Sequence, residues 1–247
     1  MEKIIETNTL EELILNKGAY TKEQNEVVYN LYFKDWFKDH RYIYGKFNMD
    51  LSKKLLDIGC AYGQNLIHFG KGSVGIDISD EHYGFCSKLG LDVRRLNVEE
   101  RFYDKFNGEK FDYIWCTDML IHLTAPYAFL LQCRELLKED GKLILQIPQY
   151  TSLIPQGIKK TYESDCHFYT FNYPTLKYLL QHSGYKVINE AAYTRFFPPQ
   201  LNFITEWFWK RFGPNLWFCA EKGDITFTNK PGNTFPDNIK ELYKVKK

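Results

Sequence analysis

Hydrophobic and polar positions fall into two textures along the chain. Through residues 1–50 apolar side chains recur with a helical period. Tyr29, Tyr32, Phe33, Trp36 and Phe37 sit at i, i+3 and i+4 spacing, which predicts a single aromatic helix face with something to cover. From Lys53 onward short apolar runs at 54–59, 73–78, 91–98, 111–118, 141–148, 185–193 and 216–223 read as strands. Helices are predicted between them at Gln64–Phe69, Asp80–Leu89, Ala125–Leu137 and Pro174–His182, with Gly141 and Gly184 placed just beyond the last two. Strands alternating with helices predict an α/β fold, a doubly wound, mostly parallel sheet of seven strands with helices on both faces. The chain divides accordingly into an N-terminal helical cap (1–50), a central domain (51–230) with insertions at 150–174 and 195–215, and a C-terminal extension (231–247).

Composition narrows the class. Hydrophobic residues make up 44% and aromatics 17%, enough for a full core with aromatics left to line a pocket. The 32 Lys and Arg against 31 Asp and Glu leave no global field to draw the chain onto nucleic acid, so no nucleic-acid partner is expected. Six cysteines, at 60, 86, 116, 133, 166 and 219, lack any metal-ligand spacing and read as reduced thiols of a cytoplasmic protein. No apolar run is long enough for a transmembrane segment.

The chemistry concentrates at Lys54-Leu-Leu-Asp-Ile-Gly-Cys-Ala-Tyr-Gly63, a buried strand stopping at glycines before a helix, where doubly wound sheets bind nucleotides. A second strand, Ser73-Val-Gly-Ile-Asp77, ends in an acid at the spacing that suits an adenosine ribose. The dinucleotide fingerprint needs glycine where this chain has Ala61 and Gln64, and Asp57 would repel a diphosphate. The same carboxylate suits a ligand carrying an ammonium and a sulfonium. No GxxxxGK[ST] loop is present for a nucleoside triphosphate.

Asp57-Ile-Gly-Cys-Ala-Tyr-Gly63 followed by Gly75-Ile-Asp77-Ile-Ser resembles the first two motifs of class I S-adenosylmethionine-dependent methyltransferases of the small-molecule type. Phe111–His122, Leu137–Leu145 and His167–Phe171 resemble later segments of that family, in the right order. The resemblance implies a Rossmann-like sheet whose last strand is antiparallel, S-adenosyl-L-methionine as cofactor and S-adenosyl-L-homocysteine as product. It also implies a cofactor site made of Asp57, Gly59, Cys60, Ala61, Gly63, Gln64, Asn65, Asp77, Ile78, Asn97, Val98 and Thr117. Asp57 through Gly63 would surround the methionine end and Asp77 the ribose. Ile78 would pack on the adenine and Asn97, in place of the usual Asp, would meet its edge, unless Asn97 is only a turn residue. Tyr20 or the stripe around Trp36 either folds over the cofactor as a lid or only packs.

Methyl transfer from a sulfonium needs a base chiefly when the acceptor is a hydroxyl. His122 and His167, expected beyond the carboxyl ends of strands, are the candidate catalytic residues, against the alternative that they only hold loops together. Asp118, Glu163 and Asp165 read as solvated acids, and His40, His68, His82 and His182 as ordinary side chains. The aromatic run 196–212 reads as a lid or core element, with a membrane-surface role as the alternative. The function expected is methylation of O or N on a small-molecule acceptor, with a sugar or cell-envelope precursor as first choice. A lipid or isoprenoid acceptor, or a non-catalytic cofactor-binding subunit, stands as the alternative. Peripheral membrane contact and the choice of monomer or homodimer stay open.

Overall fold

A computed structural model of the chain describes residues 7–23, 25–149, 167–192, 208, 210 and 215–224. Each apolar run after Lys53 forms a strand: Leu55–Ile58 (β1), Val74–Asp77 (β2), Val93–Arg95 (β3), Phe111–Thr117 (β4), Leu137–Pro148 (β5), Tyr185–Ala191 (β6) and Asn215–Lys222 (β7). They form one sheet in the order β3-β2-β1-β4-β5-β7-β6. β7 runs antiparallel to both β5 and β6, while the pairs among β1 to β5 are parallel. The order reverses between β1 and β4, and a crevice opens at such a point beyond the carboxyl ends of the strands.

Side chains alternate between two covered faces, which is why the central strands read as continuous apolar runs. Leu56, Ile58, Ile114, Leu143, Leu145 and Phe218 pack with helices Pro126–Leu136 (α5) and Tyr173–His182 (α6). Leu55, Trp115, Ile144 and Trp217 face the other way. They pack with Thr7–Asn16 (α1), Glu26–Phe33 (α2), Asp35–Lys46 (α3) and Asp80–Leu89 (α4). Asp57 shares the parity of Leu55 and so lies on this second face. The N-terminal helices are thus built into the core of one side of the sheet, with Tyr32 hydroxyl donating to the Tyr62 carbonyl at 2.5 Å.

Two predicted helices take other forms. The aromatic stripe breaks at Lys34, whose backbone (φ −112°, ψ −133°) leaves the helical region and separates α2 from α3. Tyr32 and Phe37 are buried, whereas Trp36 turns outward. The segment expected as a helix at Gln64–Phe69 is a single 3₁₀ turn, Leu66–His68, closed by hydrogen bonds three residues apart. It ends at Phe69, whose backbone is extended (φ −102°, ψ 167°), and the Gly70 N–H then donates to the Lys53 carbonyl just ahead of β1. Glu163, Asp165, Cys166, the extension 231–247, most of the 150–174 insertion and most of the aromatic run 196–212 lie outside the described residues.

Candidate active site

The loop after β1 leaves the sheet through three residues of positive φ, Gly59 (71°), Ala61 (46°) and Gly63 (75°). Glycine at 59 serves a second purpose, since a Cβ there would stand 2.6 Å from the sulfur of Met119 in the loop after β4. Both Gly59 and Cys60 donate their N–H to the Ile76 carbonyl, which holds the loop against β2. The Cys60 thiol is buried under the loop, next to Gly75 and Cys86, so only its backbone faces the crevice side. At the end of β2 the Asp77 carboxylate accepts from the Ala61 and Ser79 N–H groups at 2.9 Å each. His82 Nδ1 lies 3.1 Å from the same group, within ion-pair range but off the line of a good hydrogen bond. An ionised carboxylate offers about four acceptor positions, so hydroxyls can still be received. Ile78 beside it is 63% exposed.

Beneath the loop lies a buried polar chain. Asp57, 1% exposed, accepts from the Asn65 amide at 2.9 Å. The Asn65 oxygen contacts the Tyr44 hydroxyl at 2.6 Å and His40 Nδ1 at 2.8 Å. Burial pushes the Asp57 carboxyl up to about 7, the Asn65 hydrogen bond pulls it down, and the negative Asp77 nearby adds to the rise. Gln64 is buried, and its side-chain oxygen lacks a hydrogen-bond partner among the described residues. Asn97 is exposed and its side-chain oxygen accepts from the Glu99 N–H, so it does serve as a turn residue, and Val98 packs against the core behind it. Tyr20 is buried against Tyr29 and Phe33.

Thr117 ends β4, and Asp118 follows at φ 55° with its N–H bonded to Gln146. The Phe168 and Tyr169 N–H groups both donate to the Ile121 carbonyl, and the Tyr169 hydroxyl donates to the Thr124 carbonyl. These bonds lay the segment 167–171 over the turn Leu120–His122 and bring His122 and His167 together, with ring centroids 4.7 Å apart. Asp118, read as a solvated acid, is half-buried. Burial raises its carboxyl above the usual range, against the pull of Gln146 and of the two histidines beside it. Phe168, 62% exposed, stands next to the pair in sequence. Glu99 accepts from the Thr124 N–H at 2.7 Å and hydroxyl at 2.6 Å, tying the loop after β3 to the loop after β4. Among the described residues no cluster of His, Cys, Asp and Glu could hold a metal ion.

Residues 32–190 match the model of the family described as a methyltransferase domain. The chain belongs to this family. Curated relatives of this methyltransferase include the ubiquinone biosynthesis O-methyltransferase of Actinobacillus pleuropneumoniae serotype 5b, 34% identical over 113 residues (41% of this chain, 48% of the relative). That of Dechloromonas aromatica is 33% identical over 103 residues (38% and 43%). The chain thus spans about half the length of the curated relatives it matches. Among solved structures, a SAM-dependent methyltransferase from Archaeoglobus fulgidus superposes with a TM-score of 0.58 at 16% identity, covering 79% of this chain and 98% of that one. The magnesium protoporphyrin IX methyltransferase of Synechocystis, solved with bound SAH, superposes at 0.52 and 18%, covering 76% and 82%. These similarities show the fold, a Rossmann-like methyltransferase sheet, and S-adenosylmethionine is the cofactor of the group.

The crevice of this methyltransferase fits that cofactor chemically. The Asp77 carboxylate at the end of β2, the Asp57 carboxyl buried beneath the loop and the Gln64 oxygen, which has no hydrogen-bond partner among the described residues, suit an ammonium and ribose hydroxyls and would repel a diphosphate. Three residues near it escaped the sequence reading. His40 and Tyr44 reach Asn65 from α3, and His82 reaches Asp77 from α4. The available signal was the i, i+4 pairing of His40 and Tyr44, two polar tips on a helix that buries an aromatic face.

Proposed function

We propose that the protein transfers the methyl group of S-adenosylmethionine to a hydroxyl oxygen of a small molecule. The observation that carries this reading is the convergence of His122, His167 and Asp118 beyond the carboxyl end of β4, one strand away from the Asp57–Gly63 loop. The names of the curated relatives above, O-methyltransferases of ubiquinone biosynthesis, support an oxygen acceptor. They also favour a lipid or isoprenoid acceptor over the sugar or cell-envelope precursor.

When bound, the cofactor supplies an electrophilic methyl on a sulfonium. Asp77 accepts from the ribose hydroxyls, Ile78 packs on the adenine, and Asp57 and the Gln64 oxygen lie on the side of the ammonium. His167 takes the proton that the acceptor hydroxyl loses, and His122, in ring contact, fixes its orientation. Asp118 lies beside both rings, within reach to orient them. Phe168 and Tyr169 offer aromatic surface to the acceptor.

His167→Ala is expected to lower kcat by roughly 10²-fold or more while leaving the Kd for S-adenosylmethionine within about twofold. Unchanged turnover returns His167 to a loop-holding role. Asp77→Ala should weaken cofactor binding by about 1.5–3 kcal/mol in calorimetry, and wild-type affinity would refute the ribose contact. A mass-spectrometric screen with labelled cofactor against phenolic isoprenoids and sugars identifies the acceptor. Labelled product only on nitrogen would overturn the hydroxyl reading.

A further inference from the structure

Asp57 is the buried acid of the loop, and its geometry is set from a different part of the chain. While its carboxylate is ionised it can only accept, so Asn65 must turn its N–H toward it, at 2.9 Å. The Asn65 oxygen then points to α3, where it needs donors, and finds the Tyr44 hydroxyl at 2.6 Å and His40 Nδ1 at 2.8 Å. A reversed amide would set two acceptor oxygens against each other. The pair of donors one helical turn apart therefore selects the amide orientation that serves the ionised acid. Both rings are held edge-on to Trp115, at 5.1 and 5.4 Å between centroids, so the donors cannot swing away without disturbing the sheet face.

We propose that His40 and Tyr44 are positioning residues for the cofactor, which through Asn65 hold the Asp57 carboxylate ionised beneath the loop that receives the ammonium end of S-adenosylmethionine. This rests on the reading that Asp57 serves that end. Among the described residues, the other titratable groups facing Asp57 are Tyr32 on α2, Cys60 on the loop, Asp77 on β2 and Cys116 on β4, none of them a cation. The donors relayed through Asn65 are thus the influence that opposes burial. Removing them leaves a neutral acid where the ligand brings a positive charge.

The test is calorimetric titration of the purified full chain with S-adenosylmethionine from pH 6 to 8.5, with thermal melts alongside. His40→Phe keeps a ring and loses the donor. Tyr44→Phe removes one oxygen and keeps its contact with Trp115, and it serves if His40→Phe does not fold. Each should weaken binding about tenfold at pH 7 and move the rise of affinity with pH to higher pH. Turnover at saturating cofactor should stay within about twofold. His40→Asn, whose amide N–H replaces the ring N–H, should restore most of the affinity. Lowered melting temperatures with unchanged affinity and an unmoved pH profile would overturn the positioning role. Absence of any binding by the wild-type chain would instead overturn the cofactor reading on which it rests.

Discussion

A carboxylate buried away from bulk solvent holds its proton longer, and Asp57 is such a group, pushed up to about 7 by burial from an ordinary 3.8. Its folded form binds the proton more tightly than its unfolded form, so stability from this residue is full below pH 4 and declines as pH rises through 7, by up to about 4 kcal/mol. Asp57→Asn, lacking the charge, should therefore melt higher than wild type at pH 8 without cofactor, with the gap narrowing toward pH 4 in calorimetry. The same variant should lack the increase in cofactor affinity expected of the wild type between pH 6 and 7.5. His68 acts in the opposite direction. Burial and the nearby Arg41 hold it down at about 4, so its share of stability is lost as pH falls from 6.5 toward 4. Gly59→Ala would combine a positive φ with a contact on the flexible Met119 side chain, and should cost about 1–2 kcal/mol of stability in chemical denaturation.

Helices and strands show where local chemistry suffices. In α6 the Asn172 side chain accepts from the Thr175 N–H while Thr175 Oγ1 accepts from the Asn172 N–H. Asn172→Ala should cost about 1 kcal/mol by urea denaturation, and a smaller loss would mean that the helix start is held by packing alone. α4 is legible to the residue, from Ser79 accepting at its start to Gly90 in a left-handed conformation at its end. The strand ends carrying Asp57 and Asp77 are legible for the same reason, because a strand, a glycine bend and an acid are all written within a few residues. What pattern could not reveal is partnership across the sheet. The break at Lys34 depends on α3 seating itself on Trp115 and Trp217. His122 and His167 could be named singly, but their contact depends on the Ile121 carbonyl catching a distant segment. His40 passed for an ordinary side chain because Asn65, its partner, belongs to another element.

At the scale of the whole molecule, the sheet divides the labour. One face carries α5 and α6 as support, and the other carries α1 to α4, from which the groups that tune the loop descend. The position of β7 carries a consequence for how the protein is made. β6 is hydrogen-bonded to the rest of the sheet only through β7, and β7 is wedged between β5 and β6 although it follows both in sequence. On the ribosome, β6 emerges with no strand to pair with, and β5 waits with one edge bare, until residues 215–222 leave the exit tunnel. A premature stop shortly before residue 215 would therefore strip two strands from the nascent chain, not one, and leave an adhesive edge for chaperones or proteases to meet.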